Sequence, residues 1–325
     1  MTTITESGLR VRAPTLNDLD AVYELANAWS IAVHGEPDFT REDFALSWRE
    51  PDFCLADDAW IVETVTGQVV GYAEVWNSQR VQLGIHLFSH ADFPHEAIDT
   101  ELVRLAEERA REQIPQAPPH ARISLRNLVA TTDPARRGIF ERAGFVPVRR
   151  FWRMRVDMDA SPPAPAWPVG ITLRTMQPGE EPAVHAALNE AFDDHWGHLP
   201  MSFETWRTFF LARSDFDPAL CFLAMDGDQI AGFSLCRPEQ GMGWVDDLGV
   251  RRPWRRRGLA LALLLHSFGE FYRRGERTVG LNVDAQSLTG ATRLYEKGGM
   301  HAYREWQSFE KELRPGIELS TRTLE

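Results

Sequence analysis

Cysteine is scarce in this sequence. Only three occur in 325 residues, Cys54, Cys221 and Cys236, an odd number without metal-ligand spacing. That excludes a disulfide framework and a cysteine-built zinc site, and the three read as small core hydrophobes in a reducing compartment. Long apolar runs are missing too. No stretch reaches the length of a membrane-spanning helix, and the opening MTTITESGLR has no signal-peptide core. The expectation is a cytoplasmic protein with no membrane partner. Nor is there a positive excess: 35 Lys and Arg against 47 Asp and Glu leave a net charge of −12. Such a balance argues against nucleic acid as a partner and favours a cationic substrate if the acids line a cleft. What is present, 43% hydrophobic and 25% charged residues, suits a globular protein, and 325 residues exceed one comfortable core.

The sequence repeats itself around a proline-rich segment. Residues 157–170, DMDASPPAPAWPVG, carry four prolines and no periodic pattern, and read as a semi-rigid linker. On either side, Leu9-Arg10-Val11-Arg12 mirrors Ile171-Thr172-Leu173-Arg174, and Gln68-Val69-Val70-Gly71-Tyr72 mirrors Gln229-Ile230-Ala231-Gly232-Phe233. Ile139 to Phe145 likewise mirrors Leu294 to Met300, at a nearly constant offset. A tandem duplication follows. The expected organisation is a first domain over 1–157, a linker over 158–169 and a second domain over 170–325. Each half predicts strand, two helices, three strands, long helix, strand, helix and closing strands. The expected class is α/β, with a central, mixed but mostly antiparallel sheet flanked by helices.

One stretch stands out, WVDDLGVRRPWRRRGLALALLL over 244–265. It predicts a strand, a basic turn bearing Gly258, and a helix made of small and apolar residues. The first amides of a helix lack internal partners and the dipole there favours an anion, so Arg255, Arg256, Arg257, Gly258, Leu259 and Ala260 form a candidate diphosphate cradle. An arginine cluster is also compatible with a solvated face or with nucleic acid.

The spacing Arg255-x-x-Gly258-x-Ala260 after a strand ending LGV resembles the acyl-CoA signature of the GNAT superfamily of N-acetyltransferases. Leu294-Tyr295-Glu296-Lys297-Gly298-Gly299-Met300 resembles a second segment of that family, in the right order downstream. The resemblance covers most of both halves and implies two tandem GNAT-like domains. It implies acetyl-CoA as acyl donor, a small-molecule amine as acceptor, and direct attack in a ternary complex. The same motif pair is compatible with a non-catalytic acyl-CoA-binding regulator. By the resemblance, Leu248, Gly249 and Val250 present a strand edge to the pantetheine arm, and Gly249 fits a bulge that parts this strand from its neighbour. Ser287 stands where relatives often carry asparagine, as a capping hydroxyl within reach of the same arm.

Tyr295 is the candidate general acid for the departing thiolate, the alternative being a tyrosine that packs its helix. Asp246 is the candidate general base, the alternative being an ion pair with an arginine. Strand alternation sends Asp246 and Asp247 to opposite faces. Asp194, His195 and Trp196 close the first helix of the second half and are candidates to grip the amine; a polar helix end reads equally well. His195 and His198 have no third ligand, so no metal is expected. In the first half, Ser89 to Glu96 has no arginine cluster or glycine, Asp92 and Glu96 repel a diphosphate, and Phe140 stands in place of Tyr295. The first half reads as a degenerate copy.

Overall fold

A computed structural model describes residues 3–4, 8–77 and 80–323. Its strands are β1 Thr3–Ile4, β2 Leu9–Arg12, β3 Ala59–Thr64, β4 Val69–Trp76, β5 Gln82–Ser89, β6 Ile123–Ala130, β7 Val146–Asp157, β8 Ile171–Thr175, β9 Cys221–Asp226, β10 Gln229–Glu239, β11 Met242–Val250, β12 Thr278–Asp284 and β13 His301–Arg314. The α-helices are α1 Leu19–His34, α2 Arg41–Ser47, α3 Leu55–Asp58, α4 His95–Gln113, α5 Pro134–Arg142, α6 Glu181–Phe192, α7 Phe203–Trp206, α8 Leu259–Arg273 and α9 Ala291–Lys297. α7 runs directly into a π-helical turn, Arg207–Leu211.

The chain forms two compact units. One comprises Met1–Arg149 with Trp306–Leu319, the other Arg150–Glu305 with Ser320–Glu325. These units differ from the sequence halves, because most of β7 belongs to the second and the end of β13 to the first. The segment expected as a linker has no helix or strand and lies inside the second unit, where Trp167 packs on the core and meets the His266 ring at 6.0 Å.

In the first unit the sheet runs β1-β2-β3-β4-β5-β6, with the end of β13 beyond β6. Every pair is antiparallel except β5 with β6. α1 buries Leu19, Val22, Leu25 and Ala26, a stripe of helical period, on a core with Phe44, Tyr72 and Phe88. α4 packs on β4 and β5 through Ile98, Leu102 and Ala106.

The second unit repeats the plan, with its sheet running from the end of β7 through β12, β11, β10 and β9 to β8. Here only β11 and β12 are parallel. Strand alternation sorts its two cores: Cys221, Leu223 and Met225 of β9 join α6, while Phe222 and Ala224 join α8. α8 presents Leu263, Leu264, Phe268 and Phe271 to that second core, each worth about 1.5–3 kcal/mol of burial. Cys221 and Cys236 are buried as expected of small hydrophobes, whereas Cys54 is exposed. It sits just ahead of α3, where its side chain meets solvent instead of core.

Candidate active site

β11 and β12 are hydrogen-bonded only at Gly243↔Val279 and Trp244↔Gly280. Past Trp244 they part, while β11 stays paired with β10 as far as Gly232↔Val250. The parting coincides with a bulge. Leu235 faces Asp247 and Cys236 faces Val245, which leaves Asp246 as the extra residue. The bulge expected at Gly249 is therefore at Asp246. Gly249 serves packing instead. A Cβ there would lie 2.3 Å from the Phe233 ring, so its lack of a side chain lets that ring cross the strand. The extra residue also breaks the alternation that would separate Asp246 from Asp247.

A cavity of about 240 Å³ occupies the gap. Asp246 and Leu248 line it from β11, Asn282 and Asp284 from β12, and Ala291 and Tyr295 from α9, with Ser287, His195 and Trp196 at its rim. Six of the residues singled out in the sequence thus meet in one place. Tyr295 is buried, and no group among the described residues hydrogen-bonds its hydroxyl. Burial, and then the charge of Asp247, raise its pKa well above the usual phenol value. Ser287 Oγ accepts from the Ala291 amide at 3.2 Å, so the hydroxyl caps the start of α9.

Beside the cavity, the chain turns through Arg252–Trp254 into α8. Arg256 has φ 61° and Gly258 has φ 83°, and the Gly258 Cα faces open space. No side chain caps α8, so its leading amides are left for an anion. Arg256, Arg257 and Gly258 are exposed, and Leu259 is buried beneath them.

Arg255 behaves otherwise. Its Nε donates to Val250 O at 3.0 Å, one Nη to Ala191 O at 3.1 Å, and the other pairs with Asp194. Arg252 donates to the same carboxylate at 2.7 Å. In this structure the Arg255 guanidinium and the Asp194 carboxylate are engaged with each other. Arg255 braces the turn internally, and Asp194, its pKa held far below the carboxylate range by two guanidiniums, does not line the cavity. Two sequence candidates neutralise each other.

His195 lines the cavity with its ring 4.3 Å from that of Phe192. Burial, then His198 and Arg255, push its pKa down to about 4, so it is a neutral imidazole at pH 7 and not a cation. Trp196 also lines the cavity, but the Arg322 guanidinium sits 4.7 Å from its ring. Backbone bonds Gly197 N to Thr321 O at 2.6 Å and Thr321 N to His198 O at 3.2 Å hold the chain end against this loop. Nothing in the composition of residues 320–323 signals that pairing. Among the described residues no group of three or more metal-ligating side chains could hold an ion.

The first unit shows what happens when the same gap is filled. β5 and β6 pair at three positions up to Gly84↔Arg126 and then part. Asn127 Nδ2 donates across the gap to Ile85 O at 2.8 Å. Arg136, whose place in the repeat corresponds to Ala291, donates to Leu87 O at 3.1 Å, Ser89 Oγ at 3.1 Å and Asp99 at 3.0 Å. Its guanidinium also sits 5.0 Å from the Trp29 ring. By register Leu87 corresponds to Leu248. The position open at Leu248 in the second unit is stapled at Leu87 in the first.

Residues 182–300 match the family model described as acetyltransferase (GNAT) family. A solved GCN5-related N-acetyltransferase from Sphaerobacter thermophilus superposes with a TM-score of 0.82 at 38% identity, over 98% of this chain and 100% of that one. The chain belongs to the GNAT family. It is an acetyltransferase of that family with a tandem organisation. A tandem GNAT protein from the clavulanic acid biosynthesis pathway shares the fold, with a TM-score of 0.70 at 19% identity over 95% of this chain and 100% of that one. Curated relatives include mycothiol acetyltransferases. The one from Thermobispora bispora is 35% identical over 48% of this chain and 55% of its own length. The one from Pseudarthrobacter chlorophenolicus is 29% identical over 73% of each. The match to the first of these thus spans about half of the relative. No helix among the described residues is long and apolar enough to cross a membrane.

Proposed function

We propose that the second unit is an acetyl-CoA-dependent N-acetyltransferase that acts on a primary amine of a small molecule. The observation that carries this reading is the coincidence of three features: a parted strand pair with an open edge, an uncapped helix start beside it, and a buried tyrosine in the cavity between. The donor's pyrophosphate would lie on the amides of Gly258, Leu259 and Ala260, with Arg256 and Arg257 adding charge. Its pantetheine arm would pair with the edge from Leu248 to Val250. An amide near Leu248 would polarise the thioester carbonyl.

Catalysis requires a neutral amine and a protonated leaving group. A carboxylate of the Asp246–Asp247 pair takes one proton from the ammonium. The amine nitrogen forms a bond to the acetyl carbon as the carbon–sulfur bond breaks, and Tyr295 protonates the thiolate. The second proton lost by the nitrogen restores the phenol, so one proton is released per turnover. Neither Cys221 nor Cys236 offers a nucleophile, since burial holds both thiols protonated. The chain's net negative charge, and the name carried by the curated relatives, put cationic amines and mycothiol-type acceptors first among candidates. Release of free CoA thiol from acetyl-CoA with an amine panel, read with mass spectrometry of products, tests the proposal. Turnover with at least one amine is expected. Tight donor binding without turnover on any amine would point to the acyl-CoA-binding regulator instead.

A further inference from the structure

Five arginines lie between Arg251 and Arg257, and three of them hold the end of α6. Arg251 Nε donates to Glu190 at 2.7 Å. Arg252 donates to Asp193 at 3.2 Å and to both oxygens of Asp194, at 2.7 and 3.1 Å, and Arg255 donates to Asp194 as well. Arg255 also takes the Ala191 carbonyl, in the last turn of α6, where carbonyls lack helical partners and the dipole favours a cation. The outer pairs stand in water, with the side chains of Glu190 41% and Asp193 57% exposed, and such pairs contribute little. Asp194 differs. Its side chain is 14% exposed and accepts from two guanidiniums.

This sheltered joint has the basic turn on one side and the rim of the cavity on the other. Arg255 leads directly into Arg256, Arg257 and Gly258, the start of α8. Asp194 leads directly into His195 and Trp196, which line the cavity. The far side of the same loop is fastened separately, by the backbone bonds of Gly197 and His198 to Thr321, whose Oγ1 donates to Asp193 O at 2.9 Å. In the first unit the turn over residues 89–94 contains no arginine, so its sequence supplies no such joint beside the stapled gap.

Resting on the N-acetyl transfer read above, we propose that Asp194 is a positioning residue that ties the acceptor side of the cavity to the donor turn. It touches neither donor nor acceptor. Arg255 spends its donors on Val250 O, Ala191 O and Asp194, which leaves the diphosphate to the main-chain amides and to Arg256 and Arg257. An anion that settles the turn settles Arg255 with it, and the carboxylate passes that order to His195 and Trp196 next along the chain. Reacting groups are sensitive to displacement on this scale, since a shift of about 1 Å can cost about 10²-fold.

The test compares full-length wild type with Asp194→Asn, Asp194→Glu, Arg255→Gln, the Asp194→Asn/Arg255→Gln double variant and, as an exposed control, Asp193→Asn, each checked by thermal melting. Hydrogen exchange of the amides of residues 195–198 is followed with and without acetyl-CoA, beside the acceptor KM for the best amine of the panel and donor affinity by calorimetry. Acetyl-CoA is expected to slow exchange in this loop in wild type and in Asp193→Asn but not in Asp194→Asn. The acceptor KM should rise about tenfold or more in Asp194→Asn, with donor affinity little changed and part of the loss recovered in Asp194→Glu. Arg255→Gln should raise the acceptor KM by a similar factor, and the double variant should cost no more than either single change. A carboxylate that gripped the amine itself would leave the acceptor KM of Arg255→Gln unmoved, and that result overturns the proposal. So does a folded Asp194→Asn protein with unaltered acceptor KM and unaltered donor-dependent exchange. If the wild type acetylates no amine, the proposed function falls, and exchange alone then decides: protection by acetyl-CoA that is lost in Asp194→Asn upholds the joint, and protection that persists refutes it.

Discussion

The two units start from one plan and diverge at one gap between parallel strands. In the second, β11 and β12 part and leave the edge of β11 at Leu248 without a strand partner beside the start of α8, with Arg255 taking the Val250 carbonyl. In the first, β5 and β6 part in the same way, but Asn127 and Arg136 reach across and satisfy the carbonyls of Ile85 and Leu87. Exposed strand edges present unpaired groups that need partners. One unit is proposed to supply that partner from a ligand; the other supplies it from its own side chains. The comparison shows how a strand edge can be satisfied by side chains of its own unit.

Ala291→Arg breaks the contrast most sharply. It places in the second unit the residue that fills the first, and acetyl-CoA binding is expected to fall below detection by calorimetry while the fold persists. Tyr295→Phe copies Phe140, which is fully buried with its ring 5.0 Å from that of Phe145. It should lower kcat by about 10²–10⁴ with little change in donor affinity, measured by thiol release.

The reciprocal change is asymmetric. Arg136→Ala should not create a second donor site, because the turn before α4 carries Asp92, the first turn of α4 carries Glu96, and the loop has no counterpart of Gly258. It should cost about 3–5 kcal/mol by denaturant unfolding, since Asp99, 1% exposed, loses its guanidinium. Two donor equivalents per chain in this variant would contradict that view.

A smaller effect lies elsewhere in the first unit. Tyr72, Ser47 and His86 all converge on buried Glu74, and by register His86 stands where the second unit has Asp247. Beside them Glu50 is 7% exposed, and burial, then Glu74 and Asp52, raise its pKa to about 7. An acid whose folded pKa exceeds its unfolded value binds its proton more tightly when folded. Its stabilising contribution is therefore present at low pH and declines as pH rises from about 4.5 through about 7. Glu50→Gln should raise stability at pH 8 by about 1–3 kcal/mol, with the gain absent at pH 4.5 in melts across that range.

Much of this is legible in the sequence because the signals are local. The alternation in β9, the turn ending at Gly258 and the Tyr295 segment each report a short stretch whose chemistry does not depend on distant residues. Less legible are side-chain partnerships and strand irregularities that no local pattern announces. Arg255 reads as a phosphate ligand and Asp194 as an amine ligand, yet they pair with each other across 61 positions. Trp196 offers an aromatic face that Arg322 covers. Asp246 and Asp247 fall on opposite faces by a rule that one inserted residue suspends. The exchange of β7 and β13 ends between compact units leaves no local mark at all.

The most direct test is a crystal structure of the full chain with acetyl-CoA, paired with calorimetric stoichiometry in solution. One donor per chain is expected, with its diphosphate on the amides after Gly258 and its arm along Leu248 to Val250. A donor lying between β5 and β6, or two per chain, would contradict the contrast between an open gap and a stapled one.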